Sequence, residues 1–307
     1  MRDHFIRRMS NLVKQDPRIM LITGDLGFGV FNDFRKDFPE NFINVGVAEQ
    51  QMTGLATGLA LEGKITFTYS IANFATLRCL EQIRNDAAYH GANVNVVAIG
   101  GGFSYGALGI SHHATEDLAI MRSIPDMTVV APCGYWETME ATAAIANQPG
   151  TAYLRLDKSS GDDTPQEVNE SFHLGQARIL RPGHDCTIIT AGGILEEVLQ
   201  AADTLTAEGI HARIMSMHTI KPIDQEAIIN AVTETGTLIT VEEHTIHGGL
   251  GSAVAEVLFD HGKTGNLLRI GLDMGFSSIV GSQKYLRQQY KLDAASIEQR
   301  VIKFLQK

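Results

Sequence analysis

The sequence predicts an α/β protein of two doubly wound domains, the first with a mainly parallel sheet. Three observations carry that expectation. Short β-rich runs alternate with helical patterns along the whole chain, the rhythm of parallel strands joined by crossover helices. Hydrophobic residues make up 44 % of the chain and charged residues 20 %, enough apolar material for buried parallel sheets. The 307 residues suggest two domains at roughly 150 residues each, and the stretch KSSGDDTPQEVNE over 158–170 has the Ser, Gly, Asp and Pro content of a linker. The boundary is placed so that residues 1–165 form one domain and 166–307 the other.

The first element is an amphipathic helix. Phe5, Met9, Leu12 and Val13 recur at helical spacing in MRDHFIRRMSNLVK. Strands are expected over 19–23, 65–68, 94–99, 128–130 and 152–156, with helices over 50–61, 76–89 and 136–147. After the linker, strands are expected over 187–190, 213–217, 238–241 and 268–272. A helix over 195–208 carries Leu195, Val198, Leu199, Ala202 and Leu205 on one face. No short repeat or low-complexity tract is visible.

Bulk properties exclude several classes of function. A net charge of −10 argues against a nucleic-acid or anionic-membrane surface, though a local basic pocket for a small anion stays open. Cys79, Cys133 and Cys186 are odd in number and scattered, which fits a reducing cytoplasm, with neither a disulfide framework nor a metal-ligand spacing. No apolar run reaches the roughly 18 residues of a membrane span. The basic residues Arg2, Arg7, Arg8 and Lys14 could mimic an organellar presequence, but Asp3 and the prompt entry into a strand argue against it.

The most informative stretch is NVGVAEQQMTGLATGLAL over 44–61, with one carboxylate, Glu49, where a loop meets a helix. Gly46 and Ala48 permit a tight turn, and small residues give the helix a close-packing face. A carboxylate there is either a first-turn partner of the helix dipole or a group that handles a proton. Gly100–Gly102 follows a strand directly, as ligand loops do in α/β proteins, but matches neither the dinucleotide fingerprint nor the P-loop. A tight crossing loop is the equal alternative. His112 and His113 lie in a loop before a helix, and adjacent side chains point apart, so at most one reaches a ligand. Glu116 and Asp117 fall in that helix's first turn. In VEEHTIHGGLG, His244 and His247 fit a turn and close packing better than catalysis, and Lys221–Pro222 reads as a loop fixed by proline.

Taken together, these segments resemble the transketolase family of thiamine-diphosphate enzymes, and within it the carboxyl-terminal subunit of a split transketolase. The resemblance covers nearly the whole chain. It is carried in order by GDLG at 24–27, NVGVAEQ at 44–50, FATLRCLEQIR at 74–84, SHHATEDLAIMRSIPDM at 111–127, and IKPID and VEEHTIHGGLG further on. It implies a pyrimidine-binding domain followed by a transketolase carboxyl-terminal domain. The family's first domain, which binds diphosphate and Mg2+ through Gly-Asp-Gly and a later Asn pair, has no counterpart here. The resemblance therefore implies an amino-terminal partner subunit that supplies those functions, in a heterotetramer.

The resemblance also implies roles. Glu49 matches the Glu that hydrogen-bonds a ring nitrogen of the aminopyrimidine and favours the imino form of its amine. Burial would favour the protonated carboxyl, whereas the helix N-terminus would favour the ionised one. Phe74 matches the aromatic residue that packs on the pyrimidine, with Leu77 and Leu80 making the rest of that wall aliphatic. Asp25 and Leu26 match the pair that reaches the cofactor near its thiazolium. His112 matches the histidine that contacts substrate oxygens and assists proton transfer, with His113 behind it. Leu108 stands where sugar-phosphate transketolases usually have an Asp. Gly29 and Gly100 stand at their phosphate-binding Ser and His, while Arg2 and Arg155 match their phosphate arginines, a pair able to hold an anion. The implied reaction moves a two-carbon ketol unit from a ketose to an aldehyde whose phosphate is absent or held differently. The alternatives are a 2-oxo acid dehydrogenase β-subunit, which usually differs after the histidine, a deoxyxylulose-phosphate synthase, which is a single long chain, and a non-catalytic partner-binding homologue.

Overall fold

The computed structural model describes residues 1–27, 29–165, 170–273 and 275–306. The chain runs α1 (Arg2–Gln15), β1 (Ile19–Thr23), α2 (Asn32–Asp37), β2 (Phe42–Asn44), α3 (Glu49–Leu61), β3 (Ile65–Ile71), α4 (Ala72–Ala75), β4 (Val94–Ile99), α5 (Asp117–Ser123), β5 (Thr128–Val130), α6 (Tyr135–Asn147) and β6 (Ala152–Leu156). It continues with β7 (Arg178–Arg181), β8 (Cys186–Thr190), α7 (Leu195–Ala207), β9 (Ala212–Ser216), β10 (Thr219–Lys221), α8 (Gln225–Thr235), β11 (Thr237–Thr245), α9 (Leu250–Asp260), β12 (Asn266–Leu272), α10 (Gln283–Gln289) and α11 (Ala294–Leu305).

Two sheets organise these elements. The larger has the order β10-β5-β6-β4-β3-β1-β2, parallel except for the β10–β5 pair. The smaller has the order β12-β11-β8-β9-β7, parallel except for β7 against β9. Strands β1, β4, β5, β6 and β8 are buried along their whole length, as expected of parallel strands covered by helices on both faces. Helix α1 buries Phe5, Met9, Leu12 and Val13. It also lies on α6, where His4 stacks on Tyr135 at 4.3 Å between ring centroids.

The predicted boundary at 165/166 borders residues 166–169, which lie outside the described residues. One element crosses it. β10 comes from the second half of the chain yet forms the edge of the first sheet, pairing Thr219 with Val130 and Lys221 with Val129. Lys221, expected in a loop, is thus in a strand, and its Nζ donates to the carbonyls of Arg122 (3.1 Å) and Ile124 (2.5 Å) at the end of α5. A three-residue strand is too short to show a period of two, and proline directly after it reads as a loop. The Lys221–Pro222 peptide is cis.

The helix expected over 76–89 is broken instead. After α4 comes a 3₁₀ turn, Leu77–Cys79, then a π-helix, Gln82–Ala88. The break falls at Thr76. Its hydroxyl donates to Ala72 O at 2.6 Å, and its backbone leaves helical geometry at φ −107°, ψ −75°. From the irregular segment, Arg78 reaches the start of α3.

Candidate active site

Glu49 is the first residue of α3 and only 3 % exposed. Gly46, at φ +75°, makes the turn that delivers it. A Cβ on Gly24 would stand 3.3 Å from Glu49 Cγ, so the GDLG loop lies directly against this carboxylate. The next residue, Asp25, has φ +57° and is held by Asn44. The Asn44 side chain accepts from the Asp25 N–H at 2.9 Å, donates to its carboxylate at 3.2 Å, and accepts from the Gly46 N–H at 3.0 Å. Asn44 thereby ties the loop of Asp25 and Leu26 to the turn before Glu49. Asp25 and Leu26 also line a cavity of about 150 Å3 with Thr23 and Phe31.

A contact series leads away from Glu49. Arg78 Nη1 donates to Glu49 Oε2 at 2.7 Å. Its guanidinium lies 4.4 Å from the centre of the Phe74 ring. Phe74 meets His112 edge to face at 5.1 Å, and Tyr105 meets His112 at 6.2 Å. Asn73, beside Phe74, donates to the carbonyls of Ser111 (3.2 Å) and His113 (2.8 Å), which fixes the histidine loop against α4. His112 itself is partly exposed, with Nδ1 2.9 Å from Ser111 Oγ. Partial burial, and secondarily His113, push the His112 imidazole below its ordinary value. That shift favours the neutral imidazole, the form able to accept a proton.

Beyond Tyr105 lies a cavity of about 380 Å3, whose polar lining includes Arg2, Asp3, His4, Tyr105, Asp157 and Lys158. Arg2 pairs with Asp3 at 2.8 Å. Lys158 sits over the Tyr105 ring at 3.7 Å, and burial followed by the charge of Arg2 lowers its ammonium from the usual value.

The structure does not bring Arg155 to this cavity as a second arginine. Arg155 is 3 % exposed and fully engaged: Nε with Asp157 (3.2 Å), Nη1 with Asp117 (3.4 Å) and Nη2 with the Glu243 carbonyl (3.0 Å). Asp117, at the start of α5, also accepts from Tyr153 Oη at 2.5 Å. His113 is buried as well, with Nε2 donating to Gly106 O at 3.0 Å and its ring against Phe103. Leu108 is 56 % exposed in a 3₁₀ turn, Gly106–Leu108.

The glycine loop after β4 is filled by the protein's own side chains. A Cβ on Gly100 would meet the Tyr105 ring at 2.3 Å, one on Gly101 would meet Arg155 Nε at 1.8 Å, and one on Gly102 would meet Glu243 Oε1 at 2.4 Å. The loop is a tight crossing. Glu243 is one of three polar residues of β11 that tie this region together. It accepts from Phe103 N and from Arg287 Nε, both at 2.5 Å. Glu242 accepts from the N–H groups of Leu250 and Gly251, both at 2.8 Å, at the start of α9. His244 Nε2 accepts from Ala119 N at 3.3 Å, while Nδ1 donates to Thr245 O at 2.7 Å.

Sequence reasoning did not single out Arg78 or Lys158, which the structure brings against Glu49 and Tyr105. Arg78 lies inside FATLRCLEQIR, so its signal was present, but an ideal helix over 76–89 does not forecast the turn it makes toward Glu49. Among the described residues, no group of three or more His, Cys, Asp or Glu side chains could hold a metal ion, and no helix is long and apolar enough to cross a membrane.

Comparison with known proteins places this chain in a family. Residues 1–162 match the family described as transketolase, pyrimidine binding domain, and residues 175–297 match transketolase, C-terminal domain. The chain belongs to the transketolase family and has the layout of the carboxyl-terminal subunit of a split transketolase. A Methanocaldococcus jannaschii protein provisionally named a transketolase C-terminal section is 40 % identical over 100 % of this chain and 96 % of its own length. A subunit of the apulose-4-phosphate transketolase of Phocaeicola vulgatus is 36 % identical over 100 % of this chain and 97 % of its own. A solved structure titled split gene transketolase, inactive β4 tetramer, superimposes with a TM-score of 0.89 at 36 % identity, covering 99 % of this chain and 97 % of that one.

Proposed function

We propose that this chain is the pyrimidine-binding half of a thiamine-diphosphate-dependent transketolase, moving a two-carbon ketol unit from a ketose donor to an aldehyde acceptor. The observation that carries the reading is the buried Glu49 carboxylate against the GDLG loop, with Phe74 and His112 in series beside it. The residues present fit an aminopyrimidine: a carboxyl able to share a proton with a ring nitrogen, an aromatic face, and small residues that admit a flat ring. When bound, thiamine diphosphate supplies the carbon that carries the ketol unit.

In this reading each residue has one task. Glu49 holds a proton at the pyrimidine nitrogen. Phe74 fixes the ring plane, and Asn44 positions Asp25 and Leu26 toward the other ring. His112 gives and takes the proton of the substrate's oxygen. Arg2, with Lys158 in place of Arg155, receives an anionic end of the sugar in the 380 Å3 cavity. Leu108, on the exposed rim, meets the sugar where an Asp would bind a hydroxyl. Diphosphate and Mg2+ fall to an amino-terminal partner subunit, and the working assembly is a cytoplasmic heterotetramer. Residues 1–165 carry the site residues, and 166–307 form the carboxyl-terminal domain.

The test is to capture the partner from a lysate of the source organism with this chain as bait and to assay the reconstituted pair for ketol transfer. Glu49→Gln is expected to assemble normally and to lose most activity. Normal turnover by that variant would sink the role given to Glu49.

A further inference from the structure

Arg78 makes two contacts that a cofactor ring would also make. Its guanidinium carbon lies over the Phe74 ring, 4.4 Å from the ring centre, and one of its N–H groups donates to Glu49 Oε2 at 2.7 Å. An aminopyrimidine is planar, likewise lies over an aromatic face, and likewise presents a nitrogen to a carboxylate. A ring that took this face of Phe74 and this oxygen of Glu49 would compete with Arg78 for both.

We propose that Arg78 is an internal placeholder for the aminopyrimidine, occupying its position on Phe74 and Glu49 until the ring enters and displaces it. The inference rests on the reading of Glu49 and Phe74 given above and adds a residue to which that reading gives no role. The asymmetry of the pair supports it. Glu49 is 3 % exposed, whereas the Arg78 side chain is 43 % exposed. Glu49 is fixed in α3, while Arg78 ends a flexible stem in a 3₁₀ turn facing solvent. The guanidinium can therefore leave into water without opening the core, and exposed side chains exchange rotamers quickly. While in place, it spares a buried carboxylate from standing unpaired. Arginine suits the task better than lysine, because an ammonium has no flat face to stack.

A placeholder lowers apparent affinity by the fraction of time it fills the slot. Occupancy of about nine-tenths raises the apparent Kd about tenfold. The full chain is titrated with 4-amino-5-hydroxymethyl-2-methylpyrimidine, the ring half of the cofactor, by ligand-observed NMR. This probe needs neither the diphosphate-binding partner nor turnover. Arg78→Met is expected to bind about tenfold tighter than the parent, equivalent to about 1.4 kcal/mol. Arg78→Lys, with charge but no planar face, is expected to fall between them. Glu49→Gln is expected to weaken binding in either background. Thermal melting shows that each variant is folded. Equal or weaker binding by Arg78→Met, with dependence on Glu49 retained, overturns the placeholder and leaves the cofactor assignment standing. Binding that ignores Glu49, or no binding by any variant, overturns both.

Discussion

Arg155 offers the sharpest contrast between a substrate contact and a structural ion. Replacement by Met removes a buried cation and leaves the carboxylates of Asp117 and Asp157 without their shared counter-charge; the two side chains are 1 % and 3 % exposed. Breaking a buried pair by removing one partner costs about 3–5 kcal/mol, because the remaining charge cannot reach water. The unfolding entropy is about 2.1 cal/mol/K per residue. For 307 residues, a loss of that size lowers Tm by about 5–8 °C. Differential scanning calorimetry of the parent and Arg155→Met at pH 7 measures it, and Arg155→Lys, which keeps the charge but not the fork, should lose less. Arg155 sits 38 residues from Asp117 in sequence and 88 from Glu243, so its loss also loosens the join between β6, α5 and β11. An unchanged Tm with a raised KM for an anionic sugar would refute this account and return Arg155 to the substrate site.

Three further outcomes follow from the same geometry. Gly100→Ala puts a methyl group at φ +98° and 2.3 Å from the Tyr105 ring, so stability is expected to fall by about 2 kcal/mol or more, and urea unfolding should show it. Asn44→Ala takes the acceptor from the N–H groups of Asp25 and Gly46; at this exposed position the loss of stability is about 1 kcal/mol, while cofactor Kd in the reconstituted enzyme should rise. Burial, and next the charge of Arg178, lower the His218 imidazole to about 3 from its ordinary 6.5. The unfolded chain therefore binds the extra proton first, and stability present above pH 6.5 is lost as pH falls toward 3. By linkage the loss is about 2 kcal/mol at pH 5, and His218→Phe, which keeps the stacking on Phe172, should flatten the melting profile between pH 7 and pH 5.

The legible parts of the fold are those where one physical rule dominates. Strands buried on both faces read as short apolar runs, and the bounds expected for β1, β4, β5 and β6 are those observed. The N-terminal helix was legible because its four apolar residues fall on one face. The three-residue strands β2 and β10 were not, since pairing at a sheet edge is decided by neighbours distant in sequence. The break after α4 was hidden for a related reason. Residues 76–89 carry a helical apolar pattern, which does not reveal the 3₁₀ turn and π-helix that follow α4. Arg155 was read as available because sequence shows a charge and not its partners, which come from α5 and β11.

The glycines show how such ambiguity is resolved physically. Gly29, Gly46 and Gly100–Gly102 all sit near strand ends, where either a ligand or a close crossing can require them. Space around the absent Cβ separates the two cases. At Gly29 and Gly46 nothing stands within 4 Å, and both border the loops that carry Asp25, Leu26 and Glu49. At Gly100, Gly101 and Gly102 the space is taken by Tyr105, Arg155 and Glu243. The first pair leaves room for another molecule, and the second set is closed by the fold itself. Open space at Gly29 and Gly46 is compatible with the proposed binding face along the carboxyl ends of β1 and β2 and the start of α3. The triglycine loop serves it indirectly, by letting Tyr105 lie close enough to back His112.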